Sequence, residues 1–321
     1  YLAAFLSATA SLPEITANLA VTFEDERDKL DKIRIFLFRY INFFNNIDIA
    51  KLENDSLTDL SMACGTVSNF EYNYGDAEKA IILNQTTLQL AQMSFELYPT
   101  QKAFSYWMAA VNDASFMDSS YRLDKELWLN FEEIWNKVYN DPREPLNGLV
   151  YLETIYNNLL IIAEQNEDYE ELHQYSSKVY YLAKKRFRHS NTIDNEIKVL
   201  EAHRNLLTTD FRCDKPISDM DMGQIINRCA DILNNSKEQP LSREQYRKIL
   251  TIYCYTIYLL GTLYATEENL DDAVKYINIF LETVPDCNKN GEFNDDIESA
   301  KNILAMIELH KNTPDDSDEE E

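Results

Sequence analysis

The chain has 321 residues, 45% of them apolar and 26% charged, enough for one large domain or two and unlike the composition of a disordered chain. Only 6 residues are glycine and 8 are proline, which excludes the architectures built on glycine turns: phosphate-cradling loops, hairpin arrays, propellers and doubly wound sheets. The net charge is −25, and taking away the six acids of the C-terminal run Asp315–Glu321 leaves −19, so the body itself repels nucleic-acid backbones and anionic membranes and favours a basic partner segment.

The pattern along the chain is that of serial helices. The stretch Leu2–Ala10 is apolar and ends in Ala8-Thr9-Ala10; without a basic flank it reads as a first amphipathic helix rather than a signal peptide. Its apolar face suggests cover by a partner subunit or by preceding residues, because the ends of a helical stack need polar caps. Ile33, Phe36, Leu37, Tyr40, Ile41 and Phe44 follow the i, i+3, i+4, i+7 spacing of a helix face. Ser56 is placed to cap a helix from Leu57. Gly75-Asp76 interrupts the pattern, and Ala80–Leu97 resumes it up to Pro99.

Phe104, Trp107, Met108 and Val111 form the next stripe, followed by Leu127, Trp128, Phe131, Ile134, Trp135 and Val138. Both read as core packing. The segment Asn140–Pro145 marks a subdivision of the helical domain near 140–146. Further helices are expected over 148–163, 169–187, 195–207, 223–233, 245–265, 270–284 and 295–310. A single helical domain thus covers 1–311, and the acidic segment 312–321 is read as a disordered tail. Short connections make sequential helices antiparallel neighbours.

The five cysteines are odd in number and contain no CxxC, which reads as free thiols in a reducing compartment, the cytoplasm or nucleus. Ile249–Ala265 is 17 residues without a charge. It carries four tyrosines and sits at the lower length limit for a bilayer span, so a helix buried in protein is the expectation and no membrane span is assigned.

A 34-residue period emerges from Cys254 to Cys287. With Cys254 as position 1, Ile257 falls at 4, Leu260 and Gly261 at 7 and 8, Tyr264 at 11, Ala273 at 20, Ile277 at 24 and Pro285 at 32. These residues resemble the tetratricopeptide repeat, a helix–turn–helix unit. Phe280, at position 27, departs from the usual alanine. A second, weaker copy runs from Glu153 to Arg186, with Tyr156, Leu159, Leu172 and Val179 at positions 4, 7, 20 and 27. A third, with Ala91, Ser94 and Pro99 at 24, 27 and 32, has a first helix that does not register. The resemblance implies an all-α fold, a right-handed superhelical stack of antiparallel helix pairs. In such an α-solenoid small residues let paired helices cross closely, and a concave groove accepts a protein or peptide.

No Walker A, GxGxxG or G-x-S-x-G motif is present. Glu170-x-x-His173 is a single ExxH unit where a carboxylate-bridged dimetal site needs two. No catalytic, cofactor or metal residue is therefore assigned. The candidate binding residues are Tyr255 and Tyr258 on the concave side of the best repeat, and Asn157 and Asn158 on the weaker one. The cations Lys184, Lys185, Arg186 and Arg188 form the main basic cluster of an acidic chain. They complement a helix C-terminus or dock an acidic peptide. Tyr255, Tyr258 and Thr262 depart from the Lys/Arg/Asn carboxylate clamp of chaperone-binding repeats. Ser317 sits in an acidic kinase-type context. The function expected is a scaffold or adaptor subunit of a complex, without direct nucleic-acid binding. An all-α enzyme or ligand sensor with a closed pocket is the alternative.

Overall fold

The computed structural model describes residues 9, 11–23, 26–44, 52, 54–139, 148–237, 240–289 and 291–312. Those residues form fourteen α-helices and no strand. The apolar start apart from Thr9, the segment 140–146, and the acidic run with Ser317 lie outside the described residues. The chain divides into two compact units, Tyr1–Gln165 and Asn166–Glu321.

The first unit contains α1 (Leu12–Thr22), α2 (Arg27–Phe44), α3 (Asn54–Tyr74), α4 (Ala77–Leu97), α5 (Gln101–Met117), the single turn α6 (Ser119–Arg122), α7 (Lys125–Val138) and α8 (Leu149–Gln165). Side-chain oxygens set several starts. Asp76 accepts from the Glu78 and Lys79 N–H groups, Thr100 from Ala103, and Asp124 from Leu127, each satisfying donors that the first turn leaves unpaired. Ser56 is not such a cap. The helix starts earlier, with Asn54 and Asp55 in its first turn, and Ser56 is buried within it.

Helices α3 and α4 form the tightest pair because their shared face is small and self-satisfying. A Cβ on Gly65 would come within 3.2 Å of Thr87 Cγ2. Ser61 and Ser68 donate to the Thr87 and Ala80 carbonyls at 3.0 and 2.7 Å. The aromatic stripes are core, as their spacing predicts. Phe104, Trp128 and Phe131 are fully buried, and Trp107 meets Phe131 edge-on at 4.9 Å. Trp128 Nε1 donates to the Tyr121 carbonyl at 3.1 Å, which is how a buried indole keeps its one polar atom paired.

The second unit contains α9 (Tyr169–His189), α10 (Ile193–Arg212), α11 (Asp219–Asn234), α12 (Arg243–Thr266), α13 (Leu270–Thr283) and α14 (Asn294–Asn312). Sequential helices pack in pairs, and α12 also lies against α10 and α14. That alternate-helix contact puts α10, α12 and α14 side by side. Ser242 and Gln245 form a capping box at the start of α12.

By length and composition α12 is apolar enough to cross a membrane, with a mean hydropathy of 1.4 over an 18-residue stretch. Ten of its residues, from Ile249 to Leu263, are buried within the unit, so its apolarity is used against neighbouring helices. Gly261 is the close-crossing point: a Cβ there would sit 2.8 Å from Ile277 Cγ1 and 3.2 Å from the Ile277 backbone nitrogen. Phe280 is fully buried and fills the space between Tyr258, at 5.0 Å, and Phe293, at 6.2 Å. Pro285 follows the end of α13 within a 3-10 turn over Val284–Asp286, where a residue without an N–H costs the helix nothing.

The two repeat-like segments share one turn. In each, the first helix ends at position 13 (Gln165, Thr266) and the second begins at position 17 (Tyr169, Leu270). Position 15 is a left-handed non-glycine residue in both, Glu167 with φ 53° and Glu268 with φ 60°. The unit boundary falls between the two helices of the earlier segment.

Candidate partner-binding groove

The side-by-side arrangement of α10 and α12 leaves a surface groove between them in the second unit. It has a volume of about 310 Å³ along Glu201, Arg204, Lys248 and Thr251. It continues as about 380 Å³ along Asp194, Lys198, Glu201 and Gln245. These residues project from helices because Glu201 and Arg204 on α10, and Glu244, Arg247 and Lys248 on α12, recur at three- and four-residue spacing, the polar face opposite each apolar stripe.

Arg204 forms the groove's innermost cation. Its guanidinium lies 4.9 Å from the centre of the Tyr255 ring, a cation–π contact. The Tyr255 ring in turn packs 4.4 Å from Phe293. Burial lowers the Arg204 pKa and raises that of Tyr255, since both charged forms lose solvation. Arg204 Nε is buried with no hydrogen-bond partner. The outer rim is already paired: Lys248 with Glu244 at 2.6 Å and Arg247 with Glu292 as ion pairs, and Gln245 Nε2 donates to Asp194 at 2.7 Å. The hydrogen bond that Lys248 donates to Glu244 holds it above the ordinary lysine pKa.

The residues proposed from the sequence fall in three places. Tyr255 touches the groove only through Arg204, whose guanidinium packs on its ring. Tyr258, one turn further along α12, is half-buried against Phe280. The basic cluster is at the C-terminal end of α9, where Arg188 is exposed and Lys184, Lys185 and Arg186 are half-buried. Lys184 Nζ sits 4.9 Å from the Tyr180 ring, which stacks on His203 at 4.5 Å. Part of that cluster therefore covers the α9–α10 interface. In the first unit Asn157 is exposed, whereas Asn158 is buried and donates to the Thr154 carbonyl at 3.0 Å and to Asn112 Oδ1 at 3.4 Å.

His173 pairs with Asp210 at 2.6 Å rather than with Glu170 in an ExxH arrangement. Among the described residues no group of three or more His, Cys, Asp or Glu side chains is placed to hold a metal ion. The sequence reading passed over Glu201, Arg204 and Lys248. Their signal was the three- and four-residue recurrence of charge on two helices that are not adjacent in the sequence, which becomes one surface only when alternate helices pack.

No protein-family model matches the chain, and no curated protein does.

Proposed function

We propose that the chain is a non-enzymatic interaction scaffold or adaptor subunit that binds a protein or peptide in the groove between α10 and α12. In this reading the helix pairs continue as a right-handed, tetratricopeptide-like superhelix, and the protein acts within a cytoplasmic or nuclear complex. The observation that carries the reading is Arg204: a half-buried cation lining the groove, beside an exposed acid, Glu201. A peptide backbone carbonyl or carboxylate pairs with the part of the guanidinium that lines the groove, and a basic side chain of the partner pairs with Glu201. The overall charge of −25 attracts such a basic segment over longer range.

The test is affinity purification of the full chain from its native cell at moderate salt, with wild type beside Glu201→Lys and Lys248→Glu. The expected result is one stoichiometric partner, held by wild type and reduced by either charge reversal without a change in melting temperature. A lone monomer that co-purifies with a small molecule would shift the reading to a ligand sensor or enzyme.

A further inference from the structure

Five cysteines are dispersed through the sequence, yet two of them converge. Cys254 lies on α12 and Cys287 directly after the 3-10 turn that follows α13. Their Sγ atoms are 3.6 Å apart, inside a core formed by Ile257, Ile277, Phe280 and Phe293. We propose that Cys254 and Cys287 form a redox-active dithiol that a peroxide oxidises to an intramolecular disulfide.

Three observations support this site. The first is distance. The two sulfurs stand 3.6 Å apart, already near the roughly 2.05 Å of a disulfide. The second is access. Cys287, itself only 1% exposed, stands in the wall of an open groove of about 490 Å³ with Arg243, Arg247 and Lys289 beside the acids Glu244 and Asp286, so of the two buried sulfurs it is the one that borders solvent and meets a peroxide first. The third is contrast with the other thiols. Burial pushes Cys64 and Cys229 up to about 12, which keeps them as inert thiols. Cys213 donates to the Tyr169 carbonyl at 3.4 Å and is also raised by burial. Cys287 alone among the described cysteines is held below its ordinary value, through its sulfur–sulfur hydrogen bond with Cys254.

The chemistry balances with one peroxide. The Cys287 thiolate attacks one oxygen of hydrogen peroxide and the O–O bond breaks. A sulfenic acid remains on Cys287, and the released hydroxide takes a proton to become water. Cys254 then gives up its proton and its sulfur attacks Cys287 Sγ, displacing hydroxide, which leaves as a second water. Two electrons pass from the dithiol to the peroxide. A small thiol reductant reverses the change by exchange. The new bond ties α12 to the end of α13 across a shared core and raises resistance to unfolding.

The test uses the intact protein treated with hydrogen peroxide, then unfolded, alkylated with iodoacetamide and mapped by non-reducing mass spectrometry. The expected result is a crosslinked peptide pair joining Cys254 to Cys287, with both sites lost to alkylation, both recovered after dithiothreitol, and Cys64 and Cys229 alkylated throughout. Oxidised protein should also melt at a higher temperature. In Cys254→Ala, Cys287 should stop at a sulfenic acid that dimedone traps. The proposal is overturned if Cys254 and Cys287 remain fully alkylatable while Cys213 oxidises, or if the crosslink forms only after the chain is unfolded in urea. The wild-type map decides the matter even where the variant folds poorly.

Discussion

Arg34 on α2 grips Glu71 on α3 with two hydrogen bonds of 2.6 Å, one to each carboxylate oxygen. The Glu71 side chain is fully buried, and its Oε2 also accepts from the Asp76 N–H at 3.1 Å. The pairing raises the Arg34 pKa, mainly through the hydrogen bond to Glu71. One carboxylate thus holds α2, α3 and the start of α4 together. Removing one member of such a pair strands the other charge, at a cost of about 3–5 kcal/mol for fully buried pairs. Arg34→Ala should fall near the lower end, because Arg34 itself is one-third exposed, and should cost more than Glu71→Gln, which leaves the cation free to reach water. Urea denaturation followed by circular dichroism measures both. Equal midpoints for wild type and Arg34→Ala would remove this pair as a structural element.

Two helical glycines should respond with opposite signs. Gly223 in α11 has nothing within 4 Å of where a Cβ would stand, so Gly223→Ala should stabilise by about 0.5–1 kcal/mol through helix propensity and a less flexible unfolded chain. Gly261 faces the Ile277 side chain and backbone at 2.8 and 3.2 Å, so Gly261→Ala should destabilise by roughly 1–3 kcal/mol through overpacking. Thermal melts of the two variants decide it, and a stabilised Gly261→Ala would mean that α12 and α13 cross less closely.

Glu167 and Glu268 are strained in the same way. An L-residue in the left-handed region costs roughly 1–2 kcal/mol, which glycine avoids at some expense in unfolded-state entropy. Glu268→Gly and Glu167→Gly should therefore each leave stability unchanged or raise it by up to about 1 kcal/mol. Glu268→Val, β-branched at a positive φ, should lower the melting temperature clearly. Tolerance of valine would indicate that this turn relaxes.

His203 provides a pH signature in the second unit. Burial lowers its pKa, the nearby Lys184 lowers it further, and Asp221 opposes both. A histidine depressed in the folded state binds more protons when unfolded, so stability rises with pH. The contribution is complete above the ordinary histidine value of about 6.5 and is lost as pH falls through the depressed value. Denaturation midpoints between pH 7.5 and 5 should fall more steeply for wild type than for His203→Gln, which stacks on Tyr180 without taking a proton. Parallel curves would show that other groups govern the acid response.

Apolar periodicity made the helices legible at this level because it is a local property: it states which face of a helix is buried. The same signal identified the Trp128–Phe131 stripe as core, and explained the uncharged run of α12 by burial in protein. Caps were less legible. Ser56 reads as a cap in isolation, but the preceding Asn54 and Asp55 take the first turn instead. Adjacent residues could not be separated either. Asn157 and Asn158 differ by about 100° around a helix, and only the position of α5 decides that one meets solvent and the other meets Asn112.

The sequence by itself determined that this chain is all-helical, where most of its helices lie, and that a tight crossing at Gly261 is followed by a stop at Pro285. Tertiary structure alone decided which helices became neighbours. It joined Arg34 to Glu71, set Arg204 over Tyr255 across α10 and α12, and brought Cys254 within reach of Cys287. The physical reason is that burial of an apolar stripe is largely indifferent to which apolar partner covers it, whereas a hydrogen bond, a cation–π contact or a sulfur–sulfur approach exists only for one pairing and one rotation of the helices.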